Sequence, residues 1–223
     1  MSRVEQKQQT RRRLLEAALS LSADRGFSAV SLREVAKAAG LTPTGFYRHF
    51  RDLDELGLAL VDEVALALRQ LVREARRRYG QDGRVRSSAE AFVEYVHQQP
   101  NLFRLLLGER LGGSSAFRKA LHAEIDRFVS ELCDDLEAQA KAEKRPAPEG
   151  MASLAAEATV AIVFTVGAEA LELQKHRLPA LVDRIVREVY LVLRGAGLSN
   201  RRVTAAPTPP RESQPGSPAS RGR

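Results

Sequence analysis

Residues 31–56, SLREVAKAAGLTPTGFYRHFRDLDEL, decide how the whole chain is read. Leu32, Val35, Ala36 and Ala39 recur at helical spacing while Arg33, Glu34 and Lys37 face away from them, the pattern of a short amphipathic helix. Ser31 followed three residues later by Glu34 forms a capping box at its start. Gly40 stands where the chain needs a positive φ to leave the helix. Thr42 can cap a second short helix, and Pro43 at its first position gives up no hydrogen bond. A helix this short is not stable alone, so Phe46 and Phe50, at i and i+4, must anchor it to its neighbours. The opposite face then presents Thr44, Gly45, Tyr47, Arg48 and His49. A small helical hairpin of any all-α protein would explain the apolar spacing. The polar, aromatic and cationic outer face points instead to a helix-turn-helix that enters a DNA major groove.

Charge supports that reading once it is located. The chain of 223 residues carries a formal net charge of +7. Residues 1–51 hold ten Lys/Arg against four Asp/Glu, residues 52–196 twenty against twenty-three, and residues 197–223 five against one. Positive charge therefore gathers on the helix-turn-helix and the tail, and a polyanionic partner follows for the N-terminal part. A single cysteine, Cys133, excludes an intrachain disulfide and fits a reducing compartment. The start, MSRVEQKQQTRRR, has no apolar run suited to a signal peptide or a membrane span. A cytoplasmic protein without membrane insertion is expected.

Helical periodicity runs through the rest, without the period-two alternation of half-buried strands. A first helix spans about Thr10 to Arg25, and Gly26 ends it. After the two short helices, Asp52 and Glu55 open a long fourth helix that reaches Arg76-Arg77-Arg78, cations that serve either the helix dipole or a phosphate. A fifth helix starts near Ser87 and breaks at Pro100; a sixth is NLFRLLLGERL; a seventh runs from Ser115 to about Ala142. After the loop EKRPAPEG, helices from Met151 to about Gln174 and from Leu178 to about Arg194 close the fold. The eighth carries Leu154, Ala158, Ile162, Val166, Ala170 and Leu173, with small Gly167 and Ala168; the ninth carries Leu181, Ile185, Val189 and Val192. These faces are broader than one chain's core requires and predict a two-fold four-helix bundle. The expectation is an all-α protein: a three-helix DNA-binding domain over 1–51, a six-helix regulatory and dimerisation domain over 52–196, and a disordered, basic, Pro-rich tail over 197–223.

Chemical machinery is missing. There is no Gly-rich phosphate loop, no HExxH, no CxxC and no recognisable Ser/His/Asp constellation. His49, His97, His122 and His176 are scattered, so neither a metal nor a cofactor is expected. An enzyme is a remote alternative, and a DNA-packaging protein would leave six helices unexplained.

Residues 10–60, from TRRRLLEAALSLSADRGFSAVSLREVAKAAGLTPTGFYRHF onward, resemble the DNA-binding domain of the TetR family of bacterial repressors. The segments FYRHFRDLDELGLALVDE, YVHQQPNLFRLLLGER and IVFTVGAEAL are similar, more narrowly, to the repressors of unsaturated fatty-acid synthesis, the FabR/DesT group. The resemblance implies a homodimer built mainly from the last two helices, bound to a palindromic operator in double-stranded DNA. It implies a long-chain acyl-CoA effector that shifts the fourth helix, with target genes of fatty-acid desaturation or unsaturated fatty-acid synthesis; a drug-like hydrophobic effector is the alternative. Carried onto this sequence, the DNA-binding set is Ser31, Arg33, Thr42, Pro43, Thr44, Gly45, Tyr47, Arg48, His49 and Arg51, with Tyr47 and His49 at positions that contact phosphates and bases. Many TetR proteins have a phosphate-binding lysine where this chain has Leu53, and Arg51 is the possible substitute. Periodicity alone places Phe92, Val96, Phe103, Leu106, Phe117, Ile125, Phe128 and Phe164 in a regulatory core; the resemblance makes them walls of an apolar tunnel. Arg104, Arg110 and Arg118 are the candidates for phosphates at its mouth.

Overall fold

The computed structural model describes residues 2–23, 25–78, 83–109, 115–144 and 147–199, and among them it is all-helical. In chain order the helices are α1 (Arg3–Ser22), α2 (Leu32–Ala38), α3 (Pro43–Phe46), α4 (Leu53–Arg78), α5 (Arg84–Gln98), α6 (Pro100–Glu109), α7 (Ser115–Ala142), α8 (Met151–Gly167) and α9 (Leu178–Gly195), with short 3₁₀ turns at Phe27–Ala29, Ala168–Leu171 and Lys175–Arg177. The helix α1 begins seven residues before the expected start at Thr10 because Ser2 and Glu5 form a capping box there. At the other extreme α8 stops at Gly167, short of Gln174, and tightens into the 3₁₀ turn.

Two apolar clusters divide the molecule. One joins α1–α3 to the first half of α4 and to α6 and the start of α7, around Leu14, Val35, Phe46, Phe50, Leu56, Val61 and Phe117. The other fills the space between α5, α7, α8 and α9, around Phe92, Val96, Ala156 and Ile185. The helix α4 runs through both, with Leu56 and Leu60 in the first and Leu68 in the second. It is the physical link between the helix-turn-helix and the regulatory helices. Gly57 makes the junction tight: a Cβ there would lie 3.0 Å from the Phe117 ring and 3.1 Å from Phe27.

The ninth helix departs from the sequence expectation. Leu181, Ile185 and Val189 are buried in their own chain's core, so they are not available to a partner. Gly167 likewise seats Phe92 of the same chain, whose Cε1 lies 2.4 Å from where a Cβ would stand. The apolar groups left outside are Leu154 on α8 and Leu191 on α9, 58% and 59% exposed.

The C-terminal boundary also moves. Gly197, at φ 72°, lets the Leu198 amide donate to Leu193 O at 2.8 Å and the Gly197 amide to Arg194 O at 3.0 Å, a Schellman motif that ends α9. Leu198 is buried, so Gly197–Leu198 belong to the helical domain and not to the tail. The rest of that tail, from residue 200, lies outside the described residues, as do Arg110 and the side chains of 76–78.

Candidate nucleic-acid interface

Local hydrogen bonds build the helix-turn-helix. The Ser31 hydroxyl donates to Glu34 Oε2 at 2.7 Å, and the Ser31 amide and the Arg25 guanidinium donate to the same carboxylate at 2.9 and 2.8 Å. These bonds, that from the Ser31 hydroxyl foremost, hold the Glu34 carboxyl down at about 2. At the turn, Gly40 adopts φ 70° and the Leu41 amide donates to Ala36 O at 2.8 Å, a second Schellman motif. The Gly45 amide then donates to Thr42 Oγ1 at 3.2 Å, capping α3.

The two faces of α3 separate cleanly. Phe46 and Phe50 are buried with ring centroids 5.8 Å apart. Thr42, Pro43, Thr44, Tyr47, Arg48 and Arg51 are exposed, together with Ser31 and Arg33 on α2. Tyr47 is 60% exposed, and its ring stands edge-on to Phe46 at 5.9 Å, which fixes its direction without burying it. Gly45 is partly buried, yet an added Cβ would meet Leu41 at an ordinary 3.4 Å. Packing does not demand glycine there.

His49 sits differently from the face on which the sequence placed it. It is partly buried, and its Nδ1 is buried without a hydrogen-bond partner. Burial, followed by the charges of Lys7, Arg11 and Arg48, pushes its pKa down. Lys7 and Arg11, one turn apart on α1, therefore lie near His49, and the Arg11 guanidinium lies 4.3 Å from the Phe50 ring centroid. Lys7 was missed by sequence reasoning, although its i,i+4 spacing to Arg11 was the signal. Arg12 is paired with Glu16 at 2.8 Å. Leu53 packs against the first core, and Arg51 bonds Glu55 through both its amide, at 2.6 Å, and its side chain, at 3.2 Å.

Behind this interface α4, α5, α7, α8 and α9 enclose a cavity of about 480 Å³, within the range of small-molecule sites. Of the eight expected ligand residues, Phe92, Phe128 and Phe164 line it. They meet in sequence, Phe92 and Phe164 tilted at 5.3 Å between centroids and Phe164 edge-on to Phe128 at 5.9 Å. The remaining five do not line it. Val96 and Phe103 are core behind Phe92, while Leu106, Phe117 and Ile125 pack in the cluster that holds the helix-turn-helix. The helix α6 contributes nothing to the wall, and α9 supplies Ile185, Val189, Tyr190 and Leu193 instead. Among the described residues no group of His, Cys, Asp and Glu could hold a metal ion.

Residues 14–60 match the model of the bacterial regulatory proteins of the tetR family, and residues 81–192 match the tetracyclin repressor-like C-terminal domain. The chain belongs to the TetR family. It is a DNA-binding transcriptional regulator and not an enzyme. The TetR fold is shared with a TetR-like regulator from Rhodococcus sp. RHA1 (TM-score 0.66, 21% identity, 83% of this chain and 96% of that one). It is also shared with the fatty acid degradation regulator FadR from Bacillus halodurans (0.71, 16%, 81% and 94%) and with GusR from Salmonella enterica (0.69, 20%, 83% and 95%). At these identities the likeness is one of fold. Among the described residues one stretch, Met151–Leu171, is long and apolar enough to cross a membrane. In the TetR fold it is a core helix, with Ala152, Ala155, Ala156 and Val160 turned into the protein.

Proposed function

We propose that this TetR-family regulator is a cytoplasmic, dimeric repressor whose operator affinity is set by a hydrophobic effector in the cavity. The observation that carries the reading is the position of α4. Its first turns pack on α1–α3, while Leu68 and Val72, further along, form part of the cavity wall. An effector that favours one placement of α4 changes the separation of two recognition helices, and so changes affinity for a palindromic operator without new base contacts. Dimerisation is assigned to the outer faces of α8 and α9, through Leu154 and Leu191. Two copies are needed because a four-residue recognition helix buries too little DNA for specific affinity.

The finer reading is a long-chain acyl-CoA, or related acyl thioester, controlling fatty-acid desaturation or unsaturated fatty-acid synthesis. It is supported by the apolar, aromatic-walled cavity and by the FabR/DesT-like segments; the FadR neighbour, whose name concerns fatty acid degradation, shares the fold. An acyl chain gains roughly 0.8 kcal/mol per buried methylene, enough for a modest chain to bias a two-state dimer. One observation favours the alternative of another hydrophobic small molecule, such as a drug. Arg104 faces Glu172 at 3.7 Å, and neither Arg104 nor Arg118 lines the cavity, whereas Asp135 and Glu143 do. The test is a mobility-shift titration with operator selected from random duplex DNA by the purified protein, against acyl-CoAs of varied length and unsaturation and a panel of hydrophobic drugs. Release or tightening by acyl-CoAs supports the lipid reading. A response to drugs alone replaces it, and no response to any hydrophobic compound overturns control by the cavity. Sedimentation of a stable monomer at micromolar concentration would overturn the dimer.

A further inference from the structure

Phe92, Phe128 and Phe164 form one continuous aromatic stretch of the cavity wall. One to two turns away on the same helices stand Ser88 on α5 and Thr159 on α8, both lining the cavity. Their hydroxyl oxygens, Ser88 Oγ and Thr159 Oγ1, are buried and have no hydrogen-bond partner, and the whole Thr159 residue is only 9% exposed.

An orphaned hydroxyl in a helix is unusual, because serine and threonine can always turn back to the carbonyl three or four residues earlier. The adjacent Ser87 does so: its hydroxyl donates to Arg84 O and to Ala75 O, both at 3.2 Å. Ser88 and Thr159 leave that option unused and face an apolar space, which costs free energy in the empty protein. Two such groups in one cavity describe a receptor for a polar atom that arrives with the ligand.

We propose that the effector carries a neutral carbonyl, received by the Ser88 and Thr159 hydroxyls, with its apolar body lying against the three phenylalanines. This inference rests on the effector reading above and names the chemistry of that same site. A carbonyl oxygen has two lone pairs, which match two O–H donors. A carboxylate matches less well, because the charged residues of the lining are two acids, Asp135 and Glu143, and one base, Arg84. Acyl thioesters, esters, ketones and amides share the required group.

The test uses full-length protein and ten-carbon probes by calorimetry: decanoyl-CoA, methyl decanoate, decanoate and decane, with Thr159→Val, Ser88→Ala and the double variant. The expected order is both carbonyl compounds ahead of decanoate and of decane. The double variant should lose at least tenfold affinity for the carbonyl compounds while holding decane unchanged, and Thr159→Ser should retain binding. Decanoyl-CoA ahead of methyl decanoate assigns the source to a thioester; the reverse assigns it to a neutral ester-like compound. A readout free of ligand stands beside this. Replacing an unpartnered buried hydroxyl by a methyl removes its cost, so Thr159→Val should raise the melting temperature of the empty protein. Wild-type affinity for methyl decanoate in a folded double variant overturns the anchor while leaving the effector reading intact. Failure of every probe to bind wild-type protein counts against the effector reading itself, and a lower melting temperature for Thr159→Val overturns the orphaned hydroxyl.

Discussion

The helix-turn-helix and the effector cavity are built by opposite strategies. In the first, each functional side chain lies within a few residues of the cap, turn or ring that aims it: Ser31 with Glu34, Gly40 with Leu41, Tyr47 beside Phe46. In the second, three phenylalanines from α5, α7 and α8 meet across seventy-two positions of sequence, and α9 closes the wall. Local construction makes a rigid recognition surface whose aim survives small movements elsewhere. Distributed construction makes a space whose shape depends on how five helices sit together, which is the property an effector site needs. The difference predicts that substitutions on the exposed recognition face act on DNA affinity alone, that those in its caps act on stability locally, and that substitutions around the second site act on stability and response together.

The largest expected effect is at the recognition face. Tyr47→Ala removes an exposed ring while leaving Phe46 and Phe50 buried. A lost DNA contact costs about 1–3 kcal/mol, and a dimer loses two. Operator affinity should therefore fall by about 4 kcal/mol, roughly 1,000-fold, with helical content and dimerisation intact. Mobility shifts paired with circular dichroism check it, and wild-type affinity in a folded variant breaks the assignment.

The next effect tests the connection between the regions. Glu124 on α7 is only 4% exposed and is bonded by Arg69 of α4 and Arg127. The Arg69 guanidinium also lies 5.8 Å from the ring centroid of Phe128, a cavity wall. Glu124→Ala leaves Arg69 largely buried without its main partner, a change worth about 3 kcal/mol. Chemical denaturation should show that loss, and a neutral result would mean that the Arg69–Glu124 pair adds nothing to the junction of α4 and α7, which Arg73 also bridges to Glu131 at 2.8 Å.

The legibility of the two regions in sequence follows from the same contrast. Ser31, Gly40, Thr42 and Phe46 announce themselves because cap, turn and anchor are short-range patterns with their own residue chemistry. Helix number and type were readable from period and caps for the same reason. The cavity was half-readable. Phe92, Phe128 and Phe164 were found as inward residues, but so were Phe117 and Ile125, and periodicity marks which way a residue faces without saying which of two cores it meets. The α9 stripe of Leu181, Ile185 and Val189 reads in sequence as a partner's surface because the burial it finds in its own chain depends on tertiary packing. His49 departs for a related reason: it is partly buried, and two of the charges that act on it, those of Lys7 and Arg11, come from α1, about forty residues earlier.

A third, smaller effect reshapes the cavity from outside its lining. Gly167→Ala puts a Cβ 2.4 Å from Phe92 Cε1 and 2.9 Å from Cδ1, so the ring must move within a packed core. Overpacking of this kind costs about 2 kcal/mol. Melting temperature should fall, and the affinity for any effector seated against Phe92 should change while DNA affinity without effector stays close to wild type. An unchanged effector response would mean that Phe92 packs the core without shaping the ligand.

The smallest effect separates the regions by pH. Glu34 has its carboxyl held at about 2 against an ordinary 4.5, chiefly by the Ser31 hydroxyl. A depressed carboxylate contributes stability that is fully present above 4.5 and is lost as pH falls through about 2. Glu34→Gln lacks that titration. The wild type should therefore melt slightly above the variant at neutral pH, and the gap should close as pH falls from 4.5 toward 2. Because Glu34 caps α2 within the helix-turn-helix, the gap should appear in an amide-exchange measurement at Leu32, Val35 and Ala36 and not at cavity residues such as Ile185. A gap that stays constant with pH would show that the charge of Glu34 does nothing for the cap; one that spreads to Ile185 would show that the helix-turn-helix is not held together locally.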